Sequence, residues 1–237
     1  MAERQYAQYC PIAVGLDILG ERWTLLILRE LLGGPRRYTD LRAELPGIAS
    51  NLLAQRLREL EASALVERLE LPPPAARTVY QLTDRAWRQV PPILRALGLF
   101  GLDRMTLPQA GTAPPALTGF LAGILLAFDP QRARFQATYE ANVDGRVFRF
   151  DVRNGRLTRA SAEPHVRLTA SARDLIQAHL APDPDSRARA VSRITLDGGD
   201  RARTRFCALF GLAVEPTRLG RASGRKSARA KDHTLAR

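Results

Sequence analysis

The chain has 237 residues, a net charge of +12 at pH 7 and only two cysteines, Cys10 and Cys207, far apart in sequence. That length predicts two modest domains, and two distant thiols exclude the disulfide framework of a small secreted domain. The N-terminal MAERQYAQYC has no apolar run behind its charges, and the longest apolar run, Ala116 to Phe128, is shorter than the about 20 residues that span a bilayer, so neither a signal peptide nor membrane insertion is expected. Nearly all the positive charge is arginine, which carries no functional weight as such, and half of the excess lies from Pro216 onward.

In chain order, Pro11 to Leu19 predicts a short helix ended by Gly20, and Arg22 to Leu32 a second, mostly apolar helix ended by Gly33 and Gly34. A third helix is expected from Tyr38 or Thr39 through Leu45. After the break at Pro46 and Gly47, Leu53, Leu57, Leu60 and Ala64 recur at helical spacing and predict an amphipathic helix with one narrow apolar stripe, Ser50 capping its first turn. Asn51, Gln55, Arg58 and Glu59 fall on the opposite side. Two helices joined by so short a turn make a helix-turn-helix. Two β-rich runs follow, Val66 to Leu71 and Thr78 to Leu82, around a tip of Pro72, Pro73, Pro74 and Arg77; helix followed by such a hairpin is the order of a winged helix. Thr83 then caps a long helix reaching about Met105, interrupted or kinked by Pro91 and Pro92. Its apolar side is larger than one small domain needs. A subunit interface, shared with the first helix, and packing onto the second domain are both open explanations.

LPQAGTAPP, 107–115, reads as a linker. Beyond it come an apolar helix at 116–128 and a meander, Phe135 to Ala141, Val147 to Arg153 and Leu157 to Ala160, turned at Asp144-Gly145 and Asn154-Gly155. His165 to Ala170 adds a strand, Ser171 and Asp174 cap a helix through Leu180, Ile194 to Leu196 is a short strand, and Asp200 to Leu212 is helical. From Pro216 the chain is too polar to predict order. His165, His179 and His233 are isolated, and the chain shows no Cys or His pair at ligand spacing, no phosphate-cradling glycine loop and no nucleophile elbow, so neither a metal, a cofactor nor catalysis is expected.

The N-terminal half resembles the HxlR-type winged-helix transcriptional regulators, relatives of the MarR group. The resemblance rests on Cys10-Pro11, on LDILGERWTLLILREL from Leu16 to Leu31, on RRYTDLRAELPGIASNLLAQRLRELEASALVER from Arg36 to Arg68, and on YQLT at Tyr80 to Thr83. It implies a cytoplasmic, nucleoid-associated homodimer that places two recognition helices in successive major grooves of double-stranded DNA while the wings touch the backbone; three consecutive prolines at the tip depart from the usual pattern. The C-terminal half looks like a sterol-carrier-type domain through VDGRVFRFDVRNGRL at Val143 to Leu157, PHVRLTASARDLIQ at Pro164 to Gln177, and ITLDGGDRARTRFCALF.

The expected architecture is thus multidomain: a mainly α winged helix-turn-helix at 1–106, a linker at 107–115, an α+β sterol-carrier-like domain at 116–214 and a basic tail at 215–237. Asn51, Gln55 and Arg58 are the expected base readers, since amides match adenine and guanidinium matches guanine. Arg37, Ser50, Arg56 and Arg77 are the expected phosphate contacts, with Arg36, Arg42 and Arg68 behind them. Trp23 and Tyr38 are expected in the core. Cys10, at the start of a helix, is a redox sensor or a packed thiol. Phe120, Leu121, Ile124, Leu125, Phe128, Phe148, Phe150 and Val152 line either a cavity for a fatty-acyl or similar apolar molecule or a filled core. The tail serves nonspecific DNA attraction or solubility. The rival reading is a lipid-binding or enzyme-accessory protein whose winged helix meets other proteins.

Overall fold

The computed structural model describes residues 5–72, 77–102, 104–105 and 113–212. The tip prolines Pro73 and Pro74, most of the expected linker and the basic tail lie outside the described residues. Helix α1, Pro11–Leu19, begins with proline at its first position, where a missing N–H costs nothing, and buries only Ala13. Helix α2 is Thr24–Leu32 rather than starting at Arg22, because Glu21 to Trp23 form a turn in which Trp23 takes a left-handed φ of 80°. Six of its nine residues are buried, which makes it the central post of the domain. Helix α3, Tyr38–Glu44, opens with the Asp40 carboxylate accepting the Arg37 backbone N–H at 3.1 Å.

Helix α4, Ser50–Ala62, buries the expected stripe of Leu53, Leu57 and Leu60. Two expectations fail here. Its N-cap is Ala49 with no side-chain cap, and Ser50 instead lends its carbonyl oxygen to the Tyr38 hydroxyl at 2.6 Å. Ala64 leaves the stripe: it is exposed, at φ 55°, just past the helix end, where Leu65 N–H donates to Leu60 O and Ala64 N–H to Glu61 O, both at 3.0 Å. These crossed bonds are the Schellman closure, which demands a left-handed residue at that position.

Strands β1, Val66–Leu71, and β2, Arg77–Leu82, pair antiparallel from Val66↔Leu82 to Leu71↔Arg77. Arg36 adds a short third rung by exchanging backbone hydrogen bonds with Tyr80 at 2.9 and 2.7 Å. Thr83 caps α5, Asp84–Leu102, its hydroxyl oxygen accepting from Ala86 N–H at 3.1 Å, and the helix runs on through Pro91 and Pro92.

The C-terminal part is α+β. Strands β3, Gln136–Val143, β4, Arg146–Arg153, β5, Arg156–Arg159, β6, Val166–Ala170, and β7, Thr195–Gly198, form one sheet in the order β5-β4-β3-β6-β7, with β3 and β6 parallel. Both hairpins turn on residue pairs with positive φ, Asp144-Gly145 and Asn154-Gly155, as a two-residue turn of matching twist requires. The register sets Phe148 opposite Ala141 and Phe150 opposite Tyr139 on the buried face. Glu140 lies on the other face, within 3.4 Å of Arg149 and 3.5 Å of Arg167.

The expected helix at 116–128 is two elements, α6, Ala116–Phe120, and a π-helical stretch, Leu121–Leu126. Helix α7, Ala172–Leu180, has its cap at Ser171, which accepts from Asp174 N–H at 3.0 Å. Helix α8, Pro184–Ser192, has no counterpart in the sequence expectation: only Ala190 is buried, so no apolar stripe announces it, and Asp183 holds its start by accepting from Ser186 N–H at 2.7 Å. Helix α9, Asp200–Leu209, closes the domain.

The two expected cores are in fact one. A continuous set of buried side chains runs from Ile27, Leu28 and Leu94 to Phe120, Phe148 and Phe210. The join falls where α2 ends and along α5. A methyl group on Gly33 would lie 2.5 Å from Arg146 Nη2 and 3.1 Å from the Phe148 ring, and one on Gly98 would meet Leu126 at 2.6 Å. The surplus apolar side of α5 is therefore used at least in part within the chain.

Candidate nucleic-acid interface

With Leu53, Leu57 and Leu60 turned inward, helical geometry turns Asn51, Gln55 and Arg58 outward on one side of α4. Asn51 and Arg58 are exposed and Gln55 is partly covered. Asn51 Oδ1 accepts the Leu52 N–H at 2.9 Å, which leaves its NH2 group for other acceptors. Gln55 Nε2 donates to Glu59 Oε1 at 2.9 Å; a carboxylate only accepts, so this contact fixes which way the amide lies. Arg58 has no hydrogen bond or ion pair among the described residues. Arg37, Ser50 and Arg77 are likewise exposed, at the start of α3, the start of α4 and the tip end of β2.

Other arginines are committed inside the molecule. Arg56 is clamped at 2.5 Å by Glu21 on one side and by Glu59 on the other, and its side chain is only 11% exposed, so it ties α4 to the turn before α2. Burial pushes the Glu59 carboxyl up, but hydrogen bonds from Arg56 and Gln55 outweigh it and hold the group below its ordinary range. Arg36 points inward, its Nε and one Nη enclosed without a partner. Arg68 pairs with Glu70 at 2.9 Å, whereas Arg42 is exposed. Trp23 and Tyr38 pack against the core as expected. Glu59, already expected on this side, has a role as anchor of Gln55 and Arg56 that the sequence reading did not assign. Its signal was present, since it stands three and four residues after Arg56 and Gln55 on one helix.

Cys10 is a free, half-buried thiol at the N-cap of α1. Cys207, also free, has its thiol pushed up by burial. In the C-terminal part, Phe120, Ile124, Leu125, Phe128, Phe148, Phe150 and Val152 are buried and Leu121 is partly so. Phe120 stacks on Phe148 with centroids 4.3 Å apart and meets Phe150 edge-on at 5.8 Å. Tyr139, Phe206 and Phe210 fill the space beside them. Among the described residues, no group of three or more His, Cys, Asp or Glu could hold a metal ion, and no helix is long and apolar enough to cross a membrane.

A buried post, a helix-turn-helix and a hairpin with an arginine near its tip define a winged helix-turn-helix protein. Residues 18–107 match the HxlR-like helix-turn-helix family. An HTH-type transcriptional regulator of Synechocystis is 39% identical over 110 residues, which are 46% of this chain and 79% of that protein. The HTH-type transcriptional regulators YvaP and YodB of Bacillus subtilis are 37% and 38% identical over 37% and 32% of this chain and 82% and 69% of their own lengths. The reduced form of YodB superposes with a TM-score of 0.37 at 30% identity, over 43% of this chain and 98% of that one. The chain belongs to the HxlR-like helix-turn-helix family.

Proposed function

We propose that the protein is a transcriptional regulator, not an enzyme, that binds double-stranded DNA in sequence-specific fashion as a homodimer on an inverted repeat. The observation that carries this reading is the outward face of α4: Asn51, Gln55 and Arg58 are polar, accessible and backed by a rigid leucine stripe, which suits base edges in a major groove. A helix that served protein contacts alone would have no need of that polar set. Arg37, Ser50 and Arg77 are the backbone contacts in this arrangement.

The dimer is supported by apolar side chains left uncovered on α1 and α5. Ile12 is 73% exposed and Phe100 63%, with Val14, Leu16, Ile18 and Leu97 also exposed. Singly exposed apolar residues are ordinary, but these six lie on two helices of one small domain and are the apolar surface that a second subunit would cover. The reading includes no apolar ligand, because the stack of Phe120 on Phe148 with Phe150 at its edge is the packing of a filled core.

The test is binding to duplexes from the region upstream of the protein's own gene and its neighbours. Gln55→Ala or Arg58→Ala should lose about 1–3 kcal/mol on the selected site and little on random DNA. Equal loss on both would remove base readout from this face.

A further inference from the structure

One side chain of the C-terminal part reaches the root of the wing. Arg159, the last residue of β5, donates from Nη2 to Glu67 Oε1 on β1 at 2.8 Å and to the carbonyl oxygen of Leu82 at the end of β2. Its Nε lies 3.2 Å from Asp84 Oδ1 in the first turn of α5. Three elements of the winged helix therefore meet on a guanidinium that the winged helix does not itself supply. Glu67 also accepts from Gln81 Nε2 at 2.7 Å, and these two residues are register partners across the hairpin. The domain's own ties to the hairpin include the Arg36–Tyr80 rung and the Thr83 hydroxyl donating to Ala64 O at 2.8 Å, with Val66 of β1 and Leu82 of β2 packed in its core. Arg159 adds a polar contact from the C-terminal part that reaches β1, β2 and α5 through one guanidinium.

We propose that Arg159 is a positioning residue for DNA binding: through it the C-terminal domain sets the direction in which the wing, and with it Arg77, meets the phosphate backbone. This rests on the DNA-binding reading above. The leverage is geometric. From the Val66–Leu82 pair to the Leu71–Arg77 pair the ladder rises five steps, about 17 Å at about 3.4 Å per residue. A swing of about 10° at the root moves the far end by about 3 Å, the full length of a hydrogen bond. A planar guanidinium with donors on two edges can hold three partners at fixed angles, which a single ammonium cannot. The junction is held a second time at the end of α2, where Arg146 passes over Gly33 and lies 4.8 Å from the Phe148 ring centroid.

The experiment uses the full-length protein and a random-sequence duplex of about 30 base pairs, on which a phosphate contact is read without base readout. Affinity is measured against salt for the wild type, Arg77→Ala, Arg159→Ala, Arg159→Lys and the double variant Arg77→Ala/Arg159→Ala. Each single variant should flatten the slope of log K against log salt by about one, and the double variant should be no flatter than Arg77→Ala alone. Arg159→Lys should stay flattened, and it carries the test if Arg159→Ala does not fold. The proposal is overturned if Arg77→Ala flattens the slope while both Arg159 variants keep the wild-type value. Additive losses, or full recovery by lysine, would assign the effect to charge and overturn it as well. An unchanged slope in Arg77→Ala would instead refute the wing contact itself.

Discussion

Two residues sit in environments that oppose their own chemistry, and each gives a measurable effect. Ala64 holds a left-handed φ of 55° at a Schellman position that glycine fills without a Cβ penalty. Ala64→Gly should therefore stabilise the fold by about 0.5–1 kcal/mol, against the usual cost of added glycine entropy, as read from the denaturant midpoint. His179 is partly buried near the end of α7, its Nε2 enclosed without a partner, and this burial pushes its pKa down to about 4 from 6.5. Between those values the unfolded chain takes up a proton that the folded one refuses, so stability falls as pH drops from 6.5 toward 4 and is flat above. The loss is bounded at about 3 kcal/mol. His179→Leu should abolish the slope in that window. Glu59 and Glu67 act separately, because their lowered carboxyls cost stability only below about the ordinary value of 4.5.

At the scale of elements, the proposed function assigns base reading to α4 and assembly to α5. The accessible side of α4 owes its order to neighbours: Glu59 orients Gln55 and anchors Arg56, and Glu21 holds Arg56 from the far side. On α5 the exposed end, Leu97 and Phe100, is available to a second subunit while Gly98 faces Leu126 of the same chain. Phe100→Asp should shift the protein from dimer to monomer in sedimentation at micromolar concentration, with the far-ultraviolet dichroism unchanged. A variant that stays dimeric would move the interface elsewhere. Within the sheet domain, Phe120→Ala removes one ring from a closed stack and should cost about 3–5 kcal/mol.

At the scale of the molecule, the two parts share one buried set and the Arg159 junction, so they should unfold together. Calorimetry should show a single transition whose van't Hoff and calorimetric enthalpies agree. Two separated transitions would mean the join contributes little. A fragment ending near residue 106 would bare the end of α2 and the covered side of α5, and should be less stable than the whole chain.

The sequence by itself determined what depends on near neighbours. The period of Leu53, Leu57 and Leu60 specified the buried side of α4 and, by exclusion, the outward Asn51, Gln55 and Arg58. The dipeptides Asp144-Gly145 and Asn154-Gly155 specified two hairpins, and Thr83 and Ser171 specified two helix starts, since each acts over a few residues. Helix α8 escaped because one buried alanine makes no periodic pattern, and Ser50 misled because the helix takes Ala49 as its N-cap, which sets the Ser50 hydroxyl one position inside the first turn. Which arginines are free and which are bound was decided only by the tertiary structure: Arg56 and Arg58 are two positions apart, yet one is clamped by Glu21 from another element and the other faces outward. The fusion of two expected cores and the reach of Arg159 to Glu67, across 92 positions, were decided there too. Such contacts depend on where separate segments come to rest, and local pattern holds no record of that distance.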